Sequence, residues 1–411
     1  MLALGFSAGL PLLLVLGTLS FWLREAGVNR STIGYLSWVG LAYGFKWCWA
    51  PLVDRLPIPL LTRTLGRRRS WLLTSQLMIV CGLVGMALSD PKIALMPIVW
   101  FALLTAFGSA TQDIALDAFR IESADVDRQA ALAASYQTGY RVAMIWAGAG
   151  VLWIAARAEV SNPANYDPNS WKIAYLVMAA SMAVGFATVL LSKEPTSKPI
   201  VRAKSIGEWL QTALIEPFAD FFKRYGMNAL LILALIATYR ISDIVMGIMA
   251  NPFYVDMGYT KDEVAAISKV YGLIMTLVGA ALGGVLSVKF GMMRTLMLGA
   301  ILSAASNLLF AWLSMRGHDV TALTAVISAD NLASGIASSA FIAYMSSLTN
   351  INYSATQYAL LSSMMLLLPK WLAGFSGVAV DAVGYNTFFI GTALIGAPVL
   401  VLIWIASRRL K

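Results

Sequence analysis

The sequence predicts an all-α membrane protein of twelve spanning helices, on three grounds. Only 12% of its 411 residues are charged and 59% are hydrophobic, where an ordinary soluble domain carries about 25% charged residues. So few charges cannot cover a chain of this length with a wetted surface. Apolar runs long enough to cross about 30 Å of hydrocarbon, which takes about 20 helical residues, recur throughout with short polar breaks between them. Lysine and arginine also alternate from loop to loop as they do in bilayer-spanning chains. The runs are continuously apolar, without the alternation of a barrel strand, so each must satisfy its own backbone groups as a helix.

The expected spans are roughly 2–23, 32–53, 71–89, 93–122, 130–154, 171–191, 228–256, 262–288, 294–314, 321–348, 355–380 and 386–407. The first begins at Leu2; it is too long for a signal peptide and no small-residue cleavage site follows it. The loops at 54–70, 120–129, 192–227 and 289–294 and the C-terminal tail hold 18 basic residues against seven in the opposite set. Positive-inside bias therefore places the first set, and both termini, in the cytoplasm of a multi-pass inner-membrane protein. The net charge of +9 reflects this topology and leaves no nucleic-acid footprint. Cys48 and Cys81 both fall in apolar runs and read as small packing residues. With His318 as the only histidine, a histidine-built zinc site is excluded, and nothing calls for a cofactor.

Two six-span halves are expected, 1–192 and 228–411, joined by a cytoplasmic linker at 193–227. Within the linker, Ser205 and Glu208 have capping-box spacing. Trp209, Leu210 and Leu214 follow at helical intervals, and Phe218, Phe221 and Phe222 lead into Lys223 and Arg224. An amphipathic helix on the membrane surface fits this pattern. The halves read as copies of one ancestor: at an offset of 231, Glu25 aligns with Asp256, Gly27 with Gly258, Arg30 with Lys261 and Ser37 with Ser268. Six plus six spans with a long middle loop resembles the parallel repeat of the major facilitator superfamily, where substrate binds near the midplane between the halves. Asp54 and Arg55, then Gly66 with Arg67, Arg68 and Arg69, resemble that superfamily's loop signature. Ala50 departs from it, as does a longer spacer. Asp54, Arg55 and Arg67 are the gating candidates; ordinary positive-inside anchoring is the alternative.

Charges inside spans are costly in lipid and usually face a cavity or one another. Here they are Lys46, Arg141, Arg240, Lys269 and Lys370 against Asp113, Asp117, Asp243 and Asp330. Folding each helix pair about its loop puts Asp113 level with Arg141, Asp243 with Lys269 and Asp330 with Lys370. Such pairs either fix helix packing or serve transport. In the second reading the cations draw in an anionic substrate. A buried aspartate carries a proton, since burial favours its neutral form and a nearby cation its charged form. Asp113, Asp117 and Asp243 are the proton-coupling candidates. Lys46, Gln112, Tyr136, Gln137, Tyr140, Arg141, Tyr239, Arg240, Lys269, Asp330, Lys370 and Trp371 are the substrate-binding ones. Aromatic rings in the same spans suit sugar stacking, although interfacial belts are a commoner use. Pro369 beside Lys370 and Trp371 marks a bend. Gly272, Gly279, Gly283 and Gly284 suit close helix packing.

Several stretches resemble the AmpG muropeptide permease family. They are Gly5-Phe-Ser-Ala-Gly-Leu-Pro11, Thr32-Ile-Gly34, Ser109-Ala-Thr-Gln-Asp-Ile-Ala-Leu-Asp-Ala118, Gly139-Tyr-Arg141 and Ser354-Ala-Thr-Gln-Tyr-Ala-Leu-Leu361. The likeness spans nearly the whole chain, with Gln112-Asp113 its most specific part; eukaryotic acetyl-CoA transporters carry a related motif there. The resemblance implies proton-driven import of N-acetylglucosaminyl-anhydro-N-acetylmuramyl species, with or without peptide, from periplasm to cytoplasm. It also implies a role in wall recycling and in β-lactamase induction, and a monomer is the expectation. The alternative within transport is a carrier of another anionic metabolite, such as acetyl-CoA or a sugar phosphate. A membrane enzyme is disfavoured because no large catalytic loop lies outside the spans.

Overall fold

The computed structural model describes residues 1–123, 126–159, 166–195, 211, 215–348 and 354–409. Every regular element among the described residues is helical, and ten helices are long and apolar enough to cross a membrane. Two further spans complete the expected twelve. Span 2 is broken into pieces, Arg30–Leu36, Leu41–Phe45 and Ala50–Arg55, with tighter turns at Ser37–Gly40 and Lys46–Cys48. Span 11 begins at Ser354–Ala373. The stretch after it, Ser376–Arg409, has 34 residues, about 50 Å of helix and too long for one crossing. It is divided at Gly384, where φ is 75°. The turns before Gly384 complete span 11 and those after it form span 12.

Local chemistry repeats between the two halves. Asn29 accepts the Thr32 amide to cap span 2. Its equivalent at the offset of 231, Thr260, accepts the Glu263 amide in a full capping box that starts span 8. Gly27 and Gly258, also equivalent, have φ of +88° and +80°, a conformation that glycine adopts without strain. The same turn and the same cap thus lead into span 2 and span 8, as the aligned residues require.

Backbones approach closely where glycines meet. A Cβ on Gly5 would lie 2.1 Å from the Tyr136 carbonyl oxygen, and one on Gly139 would lie 1.9 Å from that of Leu2. Span 1 and span 5 therefore touch main chain to main chain, which leaves Tyr136 and Tyr140 beside span 1. Gly279 and Gly335 make the corresponding contact between span 8 and span 10, at 2.3 Å from the Leu332 oxygen and 2.2 Å from the Thr276 oxygen. Gly272 and Gly283 also face neighbouring spans, whereas Gly284 has nothing within 4 Å and plays no such part.

The chain forms two compact units. One comprises Met1–Lys198 with Asn251–Val270, the other Pro199–Ala250 with Tyr271–Lys411. The connection between spans 7 and 8 thus packs within the first unit, although it belongs to the second half in sequence. Of the linker, the capping box at Ser205 and Glu208 and the residues Trp209, Leu210 and Leu214 lie outside the described residues. Glu216–Tyr225 is helical and is tied to its unit. Arg224 pairs with Asp220 at 2.9 Å and donates to the Leu348 carbonyl at 3.1 Å and to Gln357 Oε1 at 2.9 Å. Phe221, at 2% exposure, turns into the protein and Phe222 outward.

Candidate functional site

Asp113 sits on span 4 (Leu95–Glu122) with Lys46 Nζ 3.9 Å from its Oδ2. Its other oxygen is buried without a hydrogen bond. The cation facing Asp113 is therefore Lys46 from a broken stretch of span 2, where depth matching pointed to Arg141. Arg141 is exposed, and its contact among the described residues is the Met144 sulfur at 3.9 Å. Symmetry about a loop sets height along a helix; which face a side chain takes depends on helix rotation. Tyr136 and Tyr140, with ring centres 6.0 Å apart, lie within electrostatic reach of Asp113. Asp117, one turn on, is half exposed and pairs with Arg120 at 3.6 Å. Gln112 points the other way: fully buried, it donates to Ser7 Oγ at 2.9 Å and ties span 4 to span 1. Gln137 is exposed.

Lys269 lies in a π-helical stretch of span 8, Val264–Tyr271, and donates to Asn251 Oδ1 at 2.7 Å. Its stem is 3.5 Å from where a Cβ on Gly148 would be, in the π-helical stretch Trp146–Gly150 of span 5. Span 1 is also irregular here, at Leu16, where ψ is −85°. The π-helical stretches of span 5 and span 8 thus meet at the Lys269 stem, and such distortions gather at functional sites. Thr18 Oγ1 donates at 2.9 Å to the Ala147 carbonyl in the same stretch.

The second unit holds a separate polar cluster. Span 7 is divided at 239–240 between Asn228–Thr238 and Ile241–Asp256, and Arg240 at that break lies 3.2 Å from Asp243 Oδ2. Arg240 also donates to Ser338, and Ser303 donates to Asp243 Oδ1. Asp330 meets Ser306 Oγ at 2.9 Å. Tyr239 is a packing residue: its ring stacks on Phe341 with centres 4.4 Å apart, and its hydroxyl donates to the Leu296 carbonyl at 3.1 Å. Trp371 is half exposed, edge-on to Phe375 at 5.3 Å, and Lys370 precedes it on span 11.

The most connected group of charges was legible in the sequence but not named as a site. Where spans 1, 5 and 7 end and spans 2 and 8 begin, Asp256 accepts from Arg24 at 2.5 Å and from Arg30 at 2.8 Å. Lys261 donates to Glu25 at 2.6 Å and to Glu159. Trp171 Nε1 donates to the other oxygen of Glu25 at 2.8 Å. Three cations and three carboxylates balance. Glu25 aligns with Asp256 and Arg30 with Lys261, so each copy's acid is paired with the other copy's base. This reciprocal pattern is what a two-fold contact between identical subunits produces. A cavity of about 590 Å³ lies against these pairs, lined also by Phe21, Tyr166 and Tyr259. Burial holds the Tyr166 phenol above its ordinary value; its oxygen accepts from Trp22 at 3.2 Å and donates to Asp90 at 3.0 Å. The signal that finds this latch is the repeat alignment itself, read as a pairing rule.

Of the gating candidates, the side chains of Asp54 and Arg55 lie outside the described residues. Arg67 opens span 3 (Arg67–Ala87) with its buried Nε unbonded. Its neighbours are spent inside the first unit. Arg68 makes a two-point contact with Glu122, at 3.0 and 2.6 Å, and Arg69 donates to the carbonyls of Val189 and Leu190 at 2.8 and 2.7 Å. Glu194 accepts the amides of Arg68 and Arg69 at 2.8 and 3.1 Å, a carboxylate at a helix N-terminus as the macrodipole favours.

Residues 1–369 match the profile of the Major Facilitator Superfamily. The anhydromuropeptide permease of Escherichia coli strain K12 is 34% identical over 413 residues, which cover all of this chain and 80% of that one. The Rickettsia felis protein named AmpG 4 is 35% identical over 412 residues, 99% of this chain and 96% of that one. Solved structures agree on the fold. The D-xylose–proton symporter superposes with a TM-score of 0.71 at 13% identity over 98% of this chain and 95% of that one. A bacterial homologue of the human lysosomal transporter Spinster gives 0.71 at 14% identity over 99% and 95%. With a full-length profile match, full-length relatives above 30% identity and twelve spans in place, the chain belongs to the Major Facilitator Superfamily and, within it, to the AmpG family of membrane transporters.

Proposed function

We propose that this transporter imports anhydro-muropeptides, GlcNAc-1,6-anhydroMurNAc with or without a peptide, from the periplasm to the cytoplasm in symport with protons. The observation that carries the reading is the full-length relation to the E. coli anhydromuropeptide permease. Residue chemistry supports it. A glycopeptide presents carboxylates and sugar faces, and the chain offers Lys46, Arg141, Lys269, Arg240 and Lys370 within its spans, with Tyr136 and Tyr140 beside Asp113. Import of this substrate would feed cell-wall recycling and, through the cytoplasmic pool, β-lactamase induction. The protein acts as a monomer in the lipid bilayer with both termini in the cytoplasm.

In this orientation the latch of Arg24, Glu25, Arg30, Glu159, Asp256 and Lys261 lies on the periplasmic side, and the cluster of Arg67, Arg68 and Arg69 on the cytoplasmic side. Periplasmic entry then requires the latch pairs to part. Asp113, held 3.9 Å from Lys46, is the first proton carrier. An anion that engages Lys46 draws away the cation facing Asp113, which favours the neutral carboxyl, so anion and proton bind together.

The test is uptake of labelled GlcNAc-anhydroMurNAc-tripeptide into proteoliposomes with and without an inward proton gradient. Acceleration by the gradient, abolished in Asp113→Asn, is the expected result. Absence of uptake by a folded preparation refutes the substrate. Gradient-driven uptake that survives in Asp113→Asn refutes the role of that residue.

A further inference from the structure

Two of the cations within spans have an acid in front of them: Lys46 has Asp113, and Arg240 has Asp243. Lys269 is placed differently. Among the described residues its ammonium donates to a neutral group, the Asn251 carboxamide oxygen at 2.7 Å, and pairs with no carboxylate. A charge within a span is costly unless it is paired or faces a cavity, and Lys269 remains partly exposed.

The surroundings of that ammonium are rich in donors. An ammonium has protons to give and cannot accept, so the contact fixes the amide of Asn251: its oxygen takes the lysine, and its nitrogen keeps two protons for another acceptor. That nitrogen lies beside span 1, 3.3 Å from where a Cβ on Gly17 would be. Gly17 is also where span 1 starts again, as the helix Gly17–Glu25, after the break at Leu16. The positive end of that helix is therefore at the same nitrogen. On the other side, a Cβ on Gly148 would meet the Lys269 stem and Leu13 Cδ1 at 3.5 Å each, so apolar contacts hold the lysine in place.

We propose that Lys269, Asn251 and the helix start at Gly17 form a carboxylate-binding site, and that its occupant is the acid group of the transported glycopeptide. The identity of the occupant rests on the import proposed above. A carboxylate has two oxygens to offer, one for the ammonium and one for the amide nitrogen, and charge-assisted bonds of this kind are the strong ones. The start of an interrupted helix turned to an anionic group is a recurring device of transporters with broken spans. Asparagine at 251 suits the task because it holds the ammonium without neutralising it. An aspartate there would satisfy the lysine from within and leave no charge for a ligand.

The test compares GlcNAc-anhydroMurNAc, whose lactyl group supplies its one carboxylate, with the methyl ester, which is neutral and otherwise alike. Binding of each to the full chain in lipid nanodiscs is measured for the wild type, Lys269→Met and Asn251→Asp. The wild type should bind the acid about tenfold to a hundredfold more tightly than the ester, the range for a hydrogen bond to a charged group. Both variants should bind the two forms alike, Lys269→Met because the charge is gone and Asn251→Asp because its own carboxylate takes the ammonium. A lysine with a structural role alone would change both affinities together and keep their ratio. A wild type indifferent to esterification, or an acid preference that persists in Lys269→Met, overturns the proposal; if that variant does not fold, Asn251→Asp decides in the same way. A wild type that binds neither form refutes the muropeptide reading. The site is then read from Lys269 itself, as its rate of labelling by an amine-reactive reagent in propionate against chloride at equal ionic strength. Slower labelling in propionate keeps the carboxylate site, and equal rates overturn it.

Discussion

Lys261→Met is the most informative perturbation of the latch formed by Arg24, Glu25, Arg30, Glu159, Asp256 and Lys261. Lys261 is 7% exposed at its side chain, against 16% for Glu25 and 11% for Glu159. Methionine keeps the stem and removes the charge, so two nearly buried carboxylates lose their shared cation. Removing one partner of a buried pair costs about 3–5 kcal/mol. Since about 1.4 kcal/mol is tenfold, the latched state should fall relative to the unlatched one by two to more than three orders of magnitude. A cysteine placed at Ala156, which lines the adjoining cavity, reports this as its rate of reaction with a membrane-impermeant maleimide. Cys48 and Cys81, both exposed, are first changed to serine. The expected result is faster labelling and a lower thermal midpoint in Lys261→Met. Adding Glu25→Gln and Glu159→Gln should restore both, because no charge is then left without a partner. Unchanged labelling and midpoint in Lys261→Met would refute the latch; failure of the triple variant to recover would refute the charge argument.

Two further outcomes test the packing that places the candidate residues. Gly139→Val puts a side chain where even a Cβ would be 1.9 Å from the Leu2 oxygen, so span 5 must move off span 1. A cost of about 1–3 kcal/mol should lower the thermal midpoint, whereas Gly247→Ala, with nothing within 4 Å, should not. Glu194→Ala removes the carboxylate that accepts the Arg68 and Arg69 amides. It should cost about 0.5–2 kcal/mol in chemical denaturation; a full loss that Glu194→Gln does not recover in part would mean the amide contacts are not what matters.

Class, span count and family were legible because each depends on a one-dimensional property. Hydrocarbon thickness sets a minimum length of apolar helix, and the Gln112-Asp113 and Gly139-Tyr140 stretches stand intact in the linear order. The internal repeat was legible too, through Glu25 with Asp256 and Arg30 with Lys261. Less legible were breaks within spans. The division at Gly384, the π-helical turns around Gly148 and Lys269, and the short turns of span 2 leave hydropathy nearly unaltered, since an apolar run stays apolar when it bends.

What the sequence by itself determined is therefore which stretches form the spanning helices and which family the chain belongs to. Only the tertiary structure decided which charges meet. Asp113 faces Lys46, Lys269 faces Asn251 and Asp330 faces Ser306. The reason is geometric. Position along a chain gives height at 1.5 Å per residue, but a contact also requires the azimuth of each helix about its own axis. That azimuth is set by glycine crossings such as Gly5 on Tyr136 and Gly139 on Leu2, where two distant parts of the chain come into backbone contact.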